Sequence, residues 1–374
     1  MHFLIETISQ VEWQQVVMWL IGGTLIFLAI KKDMEPALLL PMGFGAILVN
    51  IPGSAVIADD GILSSLFKVG IEASEAMPIL LFIGIGAMID FGPLLADPRL
   101  FLCGAAAQAG IFLTVLLATV LGFDMKDAAS IGIIGAADGP TSILVSQVLG
   151  SSYVGAIAVA AYSYMAMVPI IQPAAIKLVT TQNERAMAMP YAPGRVSRRL
   201  RILFPILVTV VSGLVAPASV ALVGFLMLGN LIRESGVLPT LTRTAQNELA
   251  NLITLLLGVT ISFSMRADQF VRVETLMILC LGLVAFVLDT VVGVLFVKAL
   301  NLFMPRRKIN PMIGAAGISA FPMSARVIEK LGQEADPRNH LLMQATGANV
   351  SGQIASVVAG GVILQYCAAH MIGG

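Results

Sequence analysis

The chain has 374 residues, of which 57% are hydrophobic and 12% charged, with a mean hydropathy of +0.91. Soluble domains carry about a quarter charged residues, so there is too little polar surface here to cover a water-soluble globule, and the chain reads as an all-α polytopic membrane protein. Its 22 basic and 22 acidic residues cancel, which gives no reason to expect a nucleic-acid partner.

The N-terminal stretch MHFLIETISQVEWQQ is acidic rather than basic ahead of the first apolar run. That is unlike a secretory signal, and the run at 16–30 reads as a retained first helix. Further apolar segments follow at 37–52, 76–95, 100–122, 152–177, 201–218, 219–235, 251–265, 275–301 and 340–368, giving about ten membrane helices. Two more segments, 128–150 and 309–328, are apolar but interrupted by Gly and Pro. Cys103, Cys280 and Cys367 lie in or beside these runs, without the spacing of a zinc site or a disulfide framework, and read as small buried hydrophobes.

Lys and Arg in the loops give the orientation. The loop 177–201 holds Lys177, Arg185, Arg195, Arg198, Arg199 and Arg201 against Glu184, and is placed in the cytoplasm together with MPRRK at 304–308. The stretch 53–75, with Asp59, Asp60, Glu72 and Glu75 against Lys68, is placed outside, as are FDMKD at 123–127 and the N-terminus. If 128–150 and 309–328 each cross fully, these signs conflict. If each is a re-entrant hairpin, every loop agrees, the first hairpin entering from outside and the second from inside.

An internal repeat points the same way. IGAADGPTSI at 134–143 aligns with IGAAGISAFP at 313–322, and FIGIGAMIDF at 82–91 is weakly similar to LLGVTISFSM at 256–265. The expected architecture is two inverted-topology repeats, 1–180 and 201–374, joined by a basic cytoplasmic linker at 181–200, each with its Gly/Pro-broken hairpin. Such repeats describe a secondary-transporter design, with the site near the midplane where the broken segments meet and where unwound backbone is shielded from lipid.

One carboxylate, Asp138, stands alone in an uncharged run. At bilayer depth it must be paired, protonated or bound to a cation. Gly139 and Pro140 free backbone carbonyls beside it, and Thr141 and Ser142 add hydroxyls, a hard oxygen-rich setting for Na⁺ or a proton. In the second hairpin Gly317 takes the place of Asp138, so that half offers neutral groups: Asn310, Ser319 and Ser324, with Asn349 in the last helix. Each of these taken singly is more often glue between helices than a ligand. Arg326 is either a positive-inside anchor or a clamp for a carboxylate arriving from the cytoplasm. Tyr162 and Tyr164 lie mid-run, so at least one is expected to have a buried hydroxyl partner, and such a hydroxyl could relay a proton. Asp289 and Asp90 are either further ion ligands or structural pairs. Phosphate-binding glycine loops, Rossmann glycines and HExxH are missing from the sequence, which disfavours ATP-driven transport by this chain alone.

GAADGPTSILVSQ, AYSYMAMVPIIQP, NPMIGAAGISAFPMSARV and NHLLMQATGANVSGQI together resemble the β subunit of the sodium-pumping, biotin-dependent decarboxylases, over nearly the whole chain. That family comprises oxaloacetate, glutaconyl-CoA, methylmalonyl-CoA and malonate decarboxylase complexes. The resemblance implies a translocase subunit of the bacterial cytoplasmic membrane. It would decarboxylate carboxybiotin, presented by a partner, with proton uptake, and drive Na⁺ outward. The family's essential aspartate maps onto Asp138, its tyrosine onto Tyr164, its second broken segment onto Asn310, Gly314, Ser319 and Arg326, and its last-helix asparagine onto Asn349. Catalytic roles would then fall to Asp138, Tyr164 and Arg326, and Na⁺ binding to Asp138 with Asn310, Gly314, Ser319 and Asn349. Implied partners are a biotin-carrier subunit, a carboxyltransferase α subunit and a small membrane γ or δ subunit, with a homo-oligomer also expected. A shorter N-terminal region leans towards the acyl-CoA decarboxylases. The alternative is a Na⁺-coupled secondary transporter of a small organic anion, which would need no biotinylated partner. A purely structural anchor would need neither the acid nor the arginine.

Overall fold

The computed structural model describes residues 10–32, 35–58, 60–72, 76–189, 196–304 and 307–371, and every regular element among them is helical. The N-terminal nine residues, Asp59 and Glu75 of the outer acidic stretch, Arg195 of the basic linker and the middle of MPRRK lie outside the described residues.

Helices α1 (Trp13–Lys32) and α2 (Pro36–Val49) form the first pair. Lipid supplies no hydrophobic drive for helices to associate, so close approach depends on small residues. Gly22 and Gly43 face each other here, and a Cβ on either would meet the other's carbonyl oxygen. After the short helices of 55–72 comes α3 (Ala76–Met88). The expected segment 76–95 ends early: the Asp90 carboxylate accepts the Gly92 amide at 2.8 Å, and a new turn starts at Gly92–Pro93. The segment 100–122 also divides, into α4 (Leu100–Ala107) and α5 (Ala109–Val120), with Gln108 between them. The first hairpin is α6 (Met125–Gly132), a tight turn at 133–136, and α7 (Gly139–Val148). Helix α8 (Val154–Val179) closes this half, with Pro169 and Pro173 inside it.

The second half repeats the order. Helices α9 (Arg198–Val215) and α10 (Val220–Ser235) pair, and turns at 239–249 lead into α11 (Ala250–Ile261). A four-residue helix at 267–270 precedes the long α12 (Val273–Phe303). The second hairpin is a single turn at Met312–Ala315, an irregular stretch, and α13 (Met323–Ala335), which outruns the expected end at 328. Helix α14 (Leu342–Met371) ends the chain. Packing is exchanged between the halves: α2 packs on α11 and α3 on α10, while α8 packs along α12 and α14 along α4.

Among the described residues, seven helical stretches are long and apolar enough to cross a membrane, and eight if the helices flanking residues 73–75 count as one span. Of the ten expected, α2 has only 14 residues, and α9 opens with Arg198, Arg199 and Arg201 in its first turns. Helix α14 is the central one: 83% of its apolar window is buried, against 22% for α1. The chain is a polytopic membrane protein.

Candidate functional site: where the two broken segments cross

The first break is built by its own residues. Ala137 adopts the left-handed conformation at φ 50°, which only Gly, Asn and Asp enter at low cost. That turn sets Asp138 as the cap of α7. Its Oδ1 accepts the Thr141 amide at 3.2 Å and its Oδ2 the Thr141 hydroxyl at 2.8 Å. Pro140 lies in the first turn of α7, where a missing N–H costs nothing. Thus Asp138 offers a buried carboxylate to the positive end of a ten-residue helix.

The second break is built from outside. Each carbonyl from Ala315 to Ser319 accepts a side-chain amide from another element. Gln172 of α8 donates to Ala315 O at 2.8 Å, and Asn349 of α14 to Ala316 O at 3.2 Å and Ile318 O at 2.7 Å. Gln108 donates to Gly317 O at 3.2 Å, and Gln353 of α14 to Ser319 O. Buried away from water, these donors do what water would do elsewhere.

The two breaks touch. Both the amide and the hydroxyl of Ser319 donate to Ala136 O, at 3.0 and 2.9 Å. Helix α14 ties them again: Asn349, Gln353 and Ser356 share one face, and Ser356 donates its hydroxyl to Asp138 Oδ2 at 2.8 Å. The Asp138 carboxylate therefore receives three donors and no cation from the described side chains. Beside the breaks, Asn349 Oδ1, Gln108 Oε1 and the Tyr162 hydroxyl are buried without a partner among the described residues. Among the described residues no cluster of three His, Cys, Asp or Glu side chains occurs. One carboxylate with neutral oxygens suits a monovalent cation rather than a multiply charged metal.

Of the residues singled out in the sequence, Asp138, Ser319 and Asn349 converge on this crossing. Gly314 lies one turn before it, with its Cα against Gly293 of α12, where a Cβ on either glycine would run into the other's carbonyl. Asn310 lies at the entrance to the second hairpin. It donates to the carbonyls of Arg185 (3.1 Å) and Met187 (2.8 Å), and its Oδ1 accepts the Met312 amide at 3.0 Å. Ser324 shares a bond with Gln172, at 2.8 Å. Tyr164 donates its hydroxyl to Leu279 O, which meets the expectation of one partnered tyrosine, and it faces α12 rather than Asp138. Tyr162 is the tyrosine at the site, its ring packed against Gly139.

Arg326, on the first turn of α13, is exposed and makes no side-chain hydrogen bond or ion pair among the described residues. The charge acting with it is Glu35, at the start of α2: burial pushes the Glu35 carboxyl above its ordinary value, and Arg326 pulls it partly back. Asp90 lies 3.7 Å from Arg233. Asp289 is fully buried. The reading of the sequence missed Gln108, Gln172, Gln353 and Ser356. For the glutamines a signal was present, an amide in an uncharged run, but their partners lie 143 to 209 residues away along the chain for Gln172 and Gln108.

The chain is similar to known proteins along nearly its whole length. A family model described as "Na+-transporting oxaloacetate decarboxylase beta subunit" matches residues 14–367. Glutaconyl-CoA decarboxylase subunit beta of Acidaminococcus fermentans is 47% identical, the alignment covering 97% of this chain and 94% of that protein. Methylmalonyl-CoA decarboxylase subunit beta of Veillonella parvula is also 47% identical, over 95% and 93% respectively. Oxaloacetate decarboxylase beta chain of Klebsiella pneumoniae is 44% identical, over 94% and 95%.

Proposed function

The chain belongs to the β-subunit family of the Na⁺-transporting decarboxylases, and from that premise we propose that it decarboxylates carboxybiotin presented by a partner subunit, takes up a proton and moves Na⁺ outward across the bacterial cytoplasmic membrane. The observation that carries this reading is the Asp138 carboxylate, buried at the crossing of the two breaks with three hydroxyl and amide donors and, among the described residues, no basic partner. A carboxylate in such a place can hold Na⁺ or a proton, but hardly both.

The chemistry balances at that atom. The bond from the ureido nitrogen of carboxybiotin to its carboxylate breaks and CO₂ leaves. The nitrogen takes the proton that Asp138 gives up, and Asp138 is left charged to receive Na⁺ from the cytoplasm. Unpaired Asn349 Oδ1 and the Ser319 hydroxyl oxygen supply neutral oxygens to the ion. Asn310, Gly314 and Tyr164 hold the breaks in position. Arg326, exposed and beside Glu35, is the clamp for the incoming carboxylate.

The repeated element order and the exchanged packing support two halves of opposite orientation, with ten crossings when α2 and α9 are included. The basic loop 177–201 then faces the cytoplasm and the N-terminus lies outside. The biotin-carrier and carboxyltransferase α subunits would dock on that basic side, a small γ or δ subunit would sit in the membrane, and the chain would form a homo-oligomer. The alignment with the oxaloacetate β chain runs over 413 positions, more than the 374 residues of this chain, so that relative carries extra sequence. The alignment with the glutaconyl-CoA subunit takes 362. This supports an acyl-CoA thioester as the complex's substrate.

The test is thermal stability of the purified chain in Na⁺ against K⁺ at equal ionic strength, beside Asp138→Asn. A ligand at ten times its dissociation constant stabilises by about 1.4 kcal/mol. Sodium-specific stabilisation present in the wild type and absent from the variant is expected; equal melting in both salts would remove the cation from Asp138. Carboxybiotin use is tested separately with a biotinylated carrier, where Arg326→Ala should lower turnover through a raised KM. Unchanged kinetics would end the clamp assignment.

A further inference from the structure

A second carboxyl lies against the first break and takes no part in the reaction above. Asp289, near the middle of α12, is fully buried, and among the described residues neither of its oxygens has a hydrogen-bond partner. It fits because two neighbours are glycines. A Cβ at Gly110 would strike Asp289 Oδ1, and a Cβ at Gly135 would strike Oδ2. Ala285 adds a methyl group beside Gly135. The amides of Gly110 and Ile111, in the first turn of α5, face the carboxyl without reaching hydrogen-bond geometry.

Those neighbours decide what the group can bind. A metal cation needs oxygen lone pairs turned towards it. Asp289 is surrounded by N–H groups, glycine Cα atoms and a methyl group. An unpaired carboxylate in hydrocarbon costs several kcal/mol, and a proton removes that cost without any further ligand. The elements packed most closely along α12 bring no charge to it. Helix α8 carries Tyr162, Tyr164 and Lys177, α4 carries Cys103, and α6 carries Lys126 and Asp127, while α5 and the turns at 133–136 and 312–315 carry no titratable side chain. None of those groups acts on Asp289. On its own helix, Glu274 and Lys298 lie towards the ends.

We propose that Asp289 is a second, proton-binding carboxyl group, seated against the first broken segment and distinct from the cation site at Asp138. It holds its proton while Gly135 is packed on α12. Without the proton its charge would be drawn to the amides at the start of α5 and away from Gly135. The segment that presents Asp138 thus carries a proton store at its back.

This inference stands whether or not Asp138 binds Na⁺, and the test separates them. Infrared spectra of the purified full chain in Na⁺-free buffer at neutral pH would be recorded for the wild type, Asp289→Asn and Asp138→Asn. The wild type should show a protonated-acid carbonyl band that disappears in Asp289→Asn and persists in Asp138→Asn. Gly135→Ala, which puts a methyl group against Oδ2 and leaves both acids in place, should shift that same band. Asp289→Asn should keep the sodium-specific stabilisation that Asp138→Asn loses. A protonated-acid band of equal intensity in wild type and Asp289→Asn would overturn the proposal. So would a band untouched by Gly135→Ala, because the proton would then sit elsewhere.

Discussion

The two breaks solve one problem in opposite ways. Around Ala137 and Asp138 the chain satisfies itself: the aspartate caps its own helix, and Thr141, three residues on, supplies both an amide and a hydroxyl. From Ala315 to Ser319 the chain leans on other elements, and Gln108, Gln172, Asn349 and Gln353 bring amides to its carbonyls. The first break keeps a charge and has acceptor capacity to offer. The second has spent its backbone carbonyls on protein. Chemistry belongs with the first, and the second is held as a fixed wall beside it.

That contrast can be broken most severely at Asp138. Asp138→Asn keeps the cap and removes the charge, so decarboxylation coupled to Na⁺ should fall by about 100- to 10,000-fold, with melting in K⁺ preserved. Turnover within a few-fold of wild type would end the assignment. Gln353→Leu should act the other way round. It removes one of the two donors to Ser319 O, the Phe321 amide being the other, and the loss of melting temperature should be equal in Na⁺ and K⁺. A loss seen only in Na⁺ would make Gln353 an ion ligand instead.

A smaller effect is expected where the second hairpin joins the last helix. Glu329 of α13 accepts the amides of Leu341 (2.6 Å) and Leu342 (2.7 Å) at the start of α14, and the ring of His340 at 2.9 Å. Burial alone would raise its carboxyl, but these bonds outweigh burial and hold it below its ordinary value. A lowered carboxyl contributes stability above its unfolded-state value and loses it as pH falls through the folded one. Glu329→Gln should therefore cost about 1–2 kcal/mol at neutral pH, and the gap to wild type should close in acid. A gap that widens in acid contradicts the sign. Smallest of all, Ser356→Ala removes one neutral donor from Asp138 Oδ2, about 0.5–1.5 kcal/mol. It should weaken apparent Na⁺ affinity by roughly two- to tenfold, read from the Na⁺ dependence of melting; an unchanged curve would make Ser356 glue alone.

The same contrast explains what was legible beforehand. The first break could be read from six letters, since an acid, a glycine and a proline in an uncharged run leave few conformations open. Helices α8, α12 and α14 followed from their apolar length. The amides that support the second break could not be assigned, because nothing local distinguishes Gln353 from an ordinary helix residue until α14 is laid beside the segment. Tyr162 and Tyr164 were inseparable for a related reason: two residues turn about 200° on a helix, so one had to face Gly139 and the other α12, and only packing says which. Helix α13 outran its expected end because Leu331 and Gly332 are buried while Lys330, Gln333 and Glu334 are not, an amphipathic continuation along a surface rather than a span.

Ser319 grips one oxygen atom, Ala136 O, with two donors of its own. A pair of bonds that share an acceptor pins a point and leaves the angles about it free, as a ball joint does. If the halves rock against each other, the joint lets them turn while keeping the backbones in register, and Asp138, two residues along from that oxygen, moves through an arc rather than a distance.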